Sequence, residues 1–306
     1  PTRWRPERRN AQRKTPMFEQ LGLIGCGLMG GSFALALKQA GLVKRVVGYS
    51  KSPSTTERAR KMGVIDVEAP SALLAVAGAD IVLLAVPVAA TERTLKSIKH
   101  LITPQMLVMD VGSTKADVVS AARSALGSRL GSFIPAHPIT GKELAGVEHA
   151  DANLYRGAKV VITPTERTLT AQLHKAQLLW LALGCEVSTM SPQAHDAAFA
   201  AVSHLPHLLA FAMMHSITGQ LHGEDYLQLA GPGFKDFTRI AAADAKVWRD
   251  ILHANQEEVL SQLQHYRHAL QAFEAALQAN DTAALESMIE HASAARSQCF
   301  AAPKKD

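Results

Sequence analysis

The sequence predicts an α/β fold in two parts, an N-terminal doubly wound domain on a parallel sheet and an all-helical C-terminal domain. Three observations carry that prediction. From residue 18 to about 161, short apolar runs alternate with amphipathic stretches. A glycine-rich string separates the first run from the first amphipathic stretch. From Pro192 onward nearly everything reads as helix, rich in Ala, Leu, Gln, His and Glu.

The apolar runs fall at 21–24, 46–49, 81–86, 107–111, 133–136 and 159–162, with helical patterns at 31–40, 56–62, 91–100 and 115–126. Strands apolar on both faces that alternate with helices belong in a parallel sheet covered on both sides. After Thr163-Pro164, residues 169–183 read as a helix and 186–190 as a last short strand, which puts the domain boundary near Met190-Ser191. Residues 17–190 are then the first domain. Residues 191–306, broken once at Gly231-Pro232-Gly233, are either a second domain packed on the first or a dimerisation element.

The net charge is confined to one end. Of 306 residues 47% are hydrophobic and 19% charged, and the net charge is +5. Residues 1–16 carry six basic side chains against Glu7, which leaves 26 basic and 26 acidic groups for the rest. The tail reads as a disordered basic leader, and the neutral body does not imply nucleic-acid binding. Cys26, Cys185 and Cys299 are far apart without a CxxC pair, which excludes a disulfide scaffold or thiolate zinc site and fits a reducing, cytoplasmic setting. Only five apolar or Gly residues separate Gln20 from Cys26, too few for an export signal, and five glycines in the uncharged run 21–37 make a poor membrane helix.

Gly25-Cys26-Gly27-Leu28-Met29-Gly30 matches G-x-G-x-x-G between a predicted strand and helix, the setting of a Rossmann-type dinucleotide cradle. Backbone N–H groups there can face a pyrophosphate with no Cβ in the way. The next strand ends at Ser50, twenty residues past Gly30, where an NAD site usually has an acid. Ser50, Lys51 and Ser52 stand there instead. Hydroxyls with a cation attract a 2′-phosphate, so NADP is favoured over NAD, with Lys51 and Thr55 as the phosphate contacts.

Ligands of open parallel sheets bind beyond the carboxyl ends of the strands. Val86 and Pro87 close one strand and would line the nicotinamide end. Ser113 follows the next and could hold a substrate hydroxyl, or simply cap the following helix. His137 follows the run 133–136; a neutral imidazole there could take a proton during hydride transfer. His204 and His207 share a helix face, yet without a third ligand they make no metal site. Arg239, just past the glycine-broken turn, can offer a bidentate fork to a carboxylate or lie on the surface.

Five strings in order, GCGLMGGS (25–32), DVGSTK (110–115), AHPITGKELAGVEHADANLYRGAKVVITP (136–164), SHLPH (203–207) and GPGFKDFTRIAAADAKVWRDI (231–251), resemble the prephenate/arogenate dehydrogenase family of tyrosine biosynthesis. The resemblance implies oxidative decarboxylation of prephenate or arogenate. His137 would accept the proton of the ring hydroxyl and Ser113 would hold that hydroxyl beside the nicotinamide. Arg239 would bind the ring carboxylate, His207 would place the substrate side chain and Glu143 would order the pocket. Asp236 would be lent to the partner subunit's site, so a homodimer is implied. Pro232 departs from the family's run of three glycines, and Lys142 stands where Thr is frequent. A β-hydroxyacid dehydrogenase is disfavoured because residues 191–223 contain no lysine. A silent NADP-sensing regulator is disfavoured because His137 and Ser113 are both present.

Overall fold

The computed structural model describes residues 16–142 and 144–300. The basic segment before Pro16, read above as a leader, and Glu143 lie outside the described residues.

Six strands form the main sheet: β1 (Phe18–Ile24), β2 (Val43–Tyr49), β3 (Val67–Glu68), β4 (Ile81–Leu84), β5 (Leu107–Asp110) and β6 (Phe133–Ile134). All pair in parallel, in the order β3-β2-β1-β4-β5-β6. Helices α1 (Leu28–Gln39), α2 (Pro53–Lys61), α3 (Ala72–Val76), α4 (Thr91–Ile98) and α5 (Ala116–Leu126) make the crossovers. Strand order reverses between β1 and β4, and a crevice opens beyond their carboxyl ends. On one face Phe33 of α1 packs 5.2 Å from Trp180, on the other Leu95, Ile98 and Leu126 meet Val82 and Val108.

Two expectations need correction. The run 133–136 is not one strand, and the run 159–162 does not join the main sheet. Pro135 has no N–H to continue the ladder with β5, and the chain leaves the sheet after β6, its edge strand. It then builds a separate three-stranded sheet: β7 (Ala136–Ile139) runs antiparallel to β8 (Lys159–Ile162), which pairs in parallel with β9 (Glu186–Thr189) after helix α6 (Thr170–Ala182). His137 therefore sits inside a strand, opposite Val161, and not beyond a strand end.

The remainder is helical: α7 (Pro192–Phe199), α8 (Leu205–Thr218), α9 (Gly223–Gln228), α10 (Pro232–Thr238), α11 (Ala245–Ala254), α12 (Gln256–Gln278) and α13 (Thr282–Cys299). Ser191 Oγ accepts the N–H of Ala194 at 3.1 Å, and Pro192 opens α7 where no N–H is needed. Between α7 and α8 the helix widens to a π turn over Ala200–His204. Pro206 removes a donor just beyond, which is a sufficient cause of the widening. The continuous stretch Pro192–Thr218 is long and apolar enough to cross a membrane by length and composition. Here it packs on α5 and α12 and buries His195, Asp196 and His204.

Candidate active site

The β1–α1 turn is shaped by glycine. Gly25 has φ +98°, and a Cβ there would lie 2.1 Å from the Ala85 carbonyl oxygen. At Gly30 a Cβ would lie 2.0 Å from the Gly25 carbonyl oxygen, so neither position admits a side chain. Gly27 faces open space and is the N-cap of α1 without a side-chain cap. The first N–H groups of α1 are thus presented to whatever enters the crevice, the arrangement a pyrophosphate requires. Ser50 Oγ accepts the Cys26 N–H at 2.8 Å and so holds the turn against β2. Lys51 and Ser52 are exposed and Thr55 is half-buried at the start of α2, whose N-cap Ser52 makes no capping hydrogen bond. These residues stand where the adenosine end of a dinucleotide laid on the turn would reach.

A cleft of about 370 Å³ continues from this cradle. Gly27, Leu28, Met29, Val86, Pro87 and Ser113 line it, together with Lys142 and, from the helical part, Asp244, Val247, Trp248 and Ile251. Ser113 does not cap α5. The carboxylate of Asp196 on α7 takes the N–H groups of Lys115 and Ala116 at 2.9 and 2.8 Å, so the cap comes from the other half of the chain. Lys115 is fully buried, with Nζ 2.5 Å from Asp110 Oδ2. Asp110 also accepts the Gly112 and Ala136 N–H groups, joining β5 to β7.

His137 is not among the cleft-lining residues. It is 8% exposed, and its Nδ1 lies 2.8 Å from Nε2 of His195. His195 Nδ1 lies 2.7 Å from Asp196 Oδ1. The Phe199 ring flanks both imidazoles, at 4.8 and 4.5 Å between centroids. Burial, and then the like charges that His195, Lys115 and His204 would present, hold the His137 imidazole well below its ordinary pKa. It is therefore neutral near pH 7 and able to accept a proton. Burial pushes the Asp196 carboxyl up, but hydrogen bonds from His195 and the Ala116 and Lys115 backbone outweigh it and leave that group below the ordinary value.

Other predicted residues gather beside the cleft. His207 donates from Nδ1 to the Ser203 carbonyl at 2.9 Å and stacks on Trp248, centroids 3.5 Å apart. Burial, opposed by that carbonyl and reinforced by the nearby Arg239 cation, lowers the His207 pKa. Arg239 follows α10 and begins a short 3₁₀ turn (Arg239–Ala242). Asp236 is exposed on α10. His195, Asp196, Lys115 and Trp248 were not singled out from sequence. Their burial and partners, which mark the first two, come from the packing of α7 and not from any spacing in the sequence.

A sequence model of the prephenate dehydrogenase nucleotide-binding domain matches residues 33–189, and one of the prephenate dehydrogenase dimerization domain matches 191–291. The prephenate dehydrogenase of Bacillus subtilis (strain 168) is 35% identical over 256 residues, 82% of this chain and 68% of the relative. The crystal structure of Aquifex aeolicus prephenate dehydrogenase with hydroxyphenyl propionate and NAD+ superposes with TM-score 0.85 at 33% identity, covering 92% of this chain and 98% of that one. Synechocystis arogenate dehydrogenase superposes with TM-score 0.77 at 27% identity, covering 92% of this chain and 100% of that one.

Proposed function

The chain belongs to the prephenate dehydrogenase family, and from that premise we propose that it is an NADP-dependent oxidoreductase that oxidatively decarboxylates prephenate, and arogenate in second place, in tyrosine biosynthesis. The observation that carries the reading is a neutral, buried His137 in the β7 strand, tied through Asp110 to the strand end that presents Ser113 to a glycine-cradled cleft.

A nicotinamide bound along Gly27, Leu28, Met29, Val86 and Pro87 supplies a hydride acceptor. Ser113 holds the ring hydroxyl in place. His137 takes the hydroxyl proton as hydride leaves the same carbon, carbon dioxide departs across the ring, and the imidazole returns the proton to the phenolate formed. Aromatisation drives the reaction; the chain contributes alignment and proton acceptance. Arg239 binds the ring carboxylate, and His207 on its Trp248 platform places the substrate side chain.

The cofactor preference rests on Lys51, Ser52 and Thr55 at the mouth of α2, where no carboxylate repels a 2′-phosphate. Ser50 spends a lone pair on the turn and keeps its O–H for the ligand. The helical half is a homodimerisation domain that lends Asp236 to the partner subunit's site. Cys26 and Cys185 are buried free thiols, pushed up to about 11 by burial, and a reducing, cytoplasmic setting suits them.

The test is a spectrophotometric assay of purified chain with prephenate or arogenate, each with NADP or NAD. Reduced nicotinamide should appear fastest with prephenate and NADP. No reduction in any combination would overturn the reading, and faster turnover with NAD would overturn the cofactor preference.

A further inference from the structure

Asp196 gives a direction to the buried chain of side chains behind His137. A carboxylate only accepts hydrogen bonds, so the His195 nitrogen 2.7 Å from Asp196 Oδ1 must carry hydrogen. A neutral His195 then has its lone pair on Nε2, which faces His137 Nδ1 at 2.8 Å. That second nitrogen must donate in turn. His137 is left with its lone pair on Nε2, an atom with no hydrogen bond to another of the described residues and not one of the buried polar atoms that lack a partner.

We propose that His195 and Asp196 are positioning residues that lock His137 as the Nδ1–H tautomer, so that the nitrogen left open is the one that can accept a proton. The inference rests on the reading of His137 as the proton acceptor and adds what prepares it. A free imidazole divides between two tautomers, and only one of them has an accepting Nε2.

The anchor is rigid and comes from several elements. The positive end of α5 meets the Asp196 carboxylate through the N–H groups of Lys115 and Ala116. Asn255, at the start of α12, donates from Nδ2 to the Asp196 carbonyl at 2.8 Å. Phe199 stacks on His195 with an interplanar angle of 27°, which fixes the ring plane. His137 belongs to β7, whereas His195 and Asp196 belong to α7. The protonation pattern of a residue in one half of the chain is therefore set by the other half.

Nitrogen NMR of histidine-labelled protein reads the tautomer without substrate. The expected result near pH 7 is a protonated-type signal at Nδ1 of His137 and an unprotonated-type signal at Nε2. His195→Leu should convert His137 to a mixture or to the Nε2–H form and lower kcat at least about tenfold, toward the lower end of what loss of proton transfer costs, with both KM values little changed. His195→Gln, whose side-chain carbonyl can accept from Nδ1, should restore the wild-type tautomer and most of kcat. Hydrogen on Nε2 of His137 in the wild-type protein would overturn the proposal, as would an unaltered tautomer in His195→Leu. If the tautomer is as stated and prephenate is still not turned over, the functional reading fails and this inference stands.

Discussion

In the nucleotide-binding half, β4 and β5 are buried from end to end, whereas α13 has no buried residue and α12 buries only Val259 and Ala276 among its 23. The parallel sheet supplies its own two covers, so its apolar residues find partners within one protomer. The helices do not. Leu260, Leu270 and Leu277 of α12 and Ile289 of α13 are 50, 54, 63 and 57% exposed. Several of the residues the helical half does bury lie where it meets the first half, among them His195, Asp196, Phe199 and Ile251. It is folded around the site more than around a core of its own, and its outer apolar faces suit a second copy of the chain.

That contrast can be broken or sharpened by measurement. The largest effect belongs to the self-contained core. Phe33→Ala removes a ring packed against Tyr155 and Trp180 and should cost about 3–5 kcal/mol in urea unfolding. Next comes the contact between the halves. Burial, opposed by Asp196 and reinforced by the neighbouring His195 and His207, depresses the His204 pKa to about 4. An unfolded chain, with an ordinary imidazole, binds a proton more readily in that range. Stability is therefore full above about pH 6.5 and falls as pH drops toward 4, by about 3 kcal/mol. His204→Asn keeps an acceptor for Asn255 and removes the titration, so its stability should depend less on pH in the same titration.

Smaller effects follow. Lys51→Ala should raise KM for NADP by about tenfold, roughly 1.4 kcal/mol, and leave NAD nearly unaffected; equal effects on both cofactors would remove Lys51 from phosphate recognition. Leu277→Ala, at the exposed end of α12, should change protomer stability by under about 0.5 kcal/mol. The same change should shift a monomer–dimer equilibrium measured by sedimentation, and an unshifted equilibrium would take α12 out of the interface.

The two halves also differed in how much of them sequence alone revealed. The glycine turn was legible because backbone geometry there forbids side chains, as Gly25 and Gly30 show. The family was legible in five ordered strings. The division at Pro135 could have been read from the missing N–H, but an apolar run on either side masks it. The two-residue β3 is too short to leave a pattern. His195 and Asp196 were opaque for another reason. Adjacent residues on a helix point in different directions, and only the packing of α7 on β7 and α5 shows that one reaches His137 and the other caps α5. Ser50 was seen as a ligand for phosphate, while its bond to the Cys26 N–H depends on a turn folding back on β2.

One variant tests the chemistry at the centre of this account most directly. His137→Asn, assayed with prephenate and NADP alongside a fluorescence titration of NADPH binding, should lose at least ~10²-fold in kcat with cofactor affinity unchanged. A kcat close to that of the wild-type chain would contradict the assignment of proton transfer to His137.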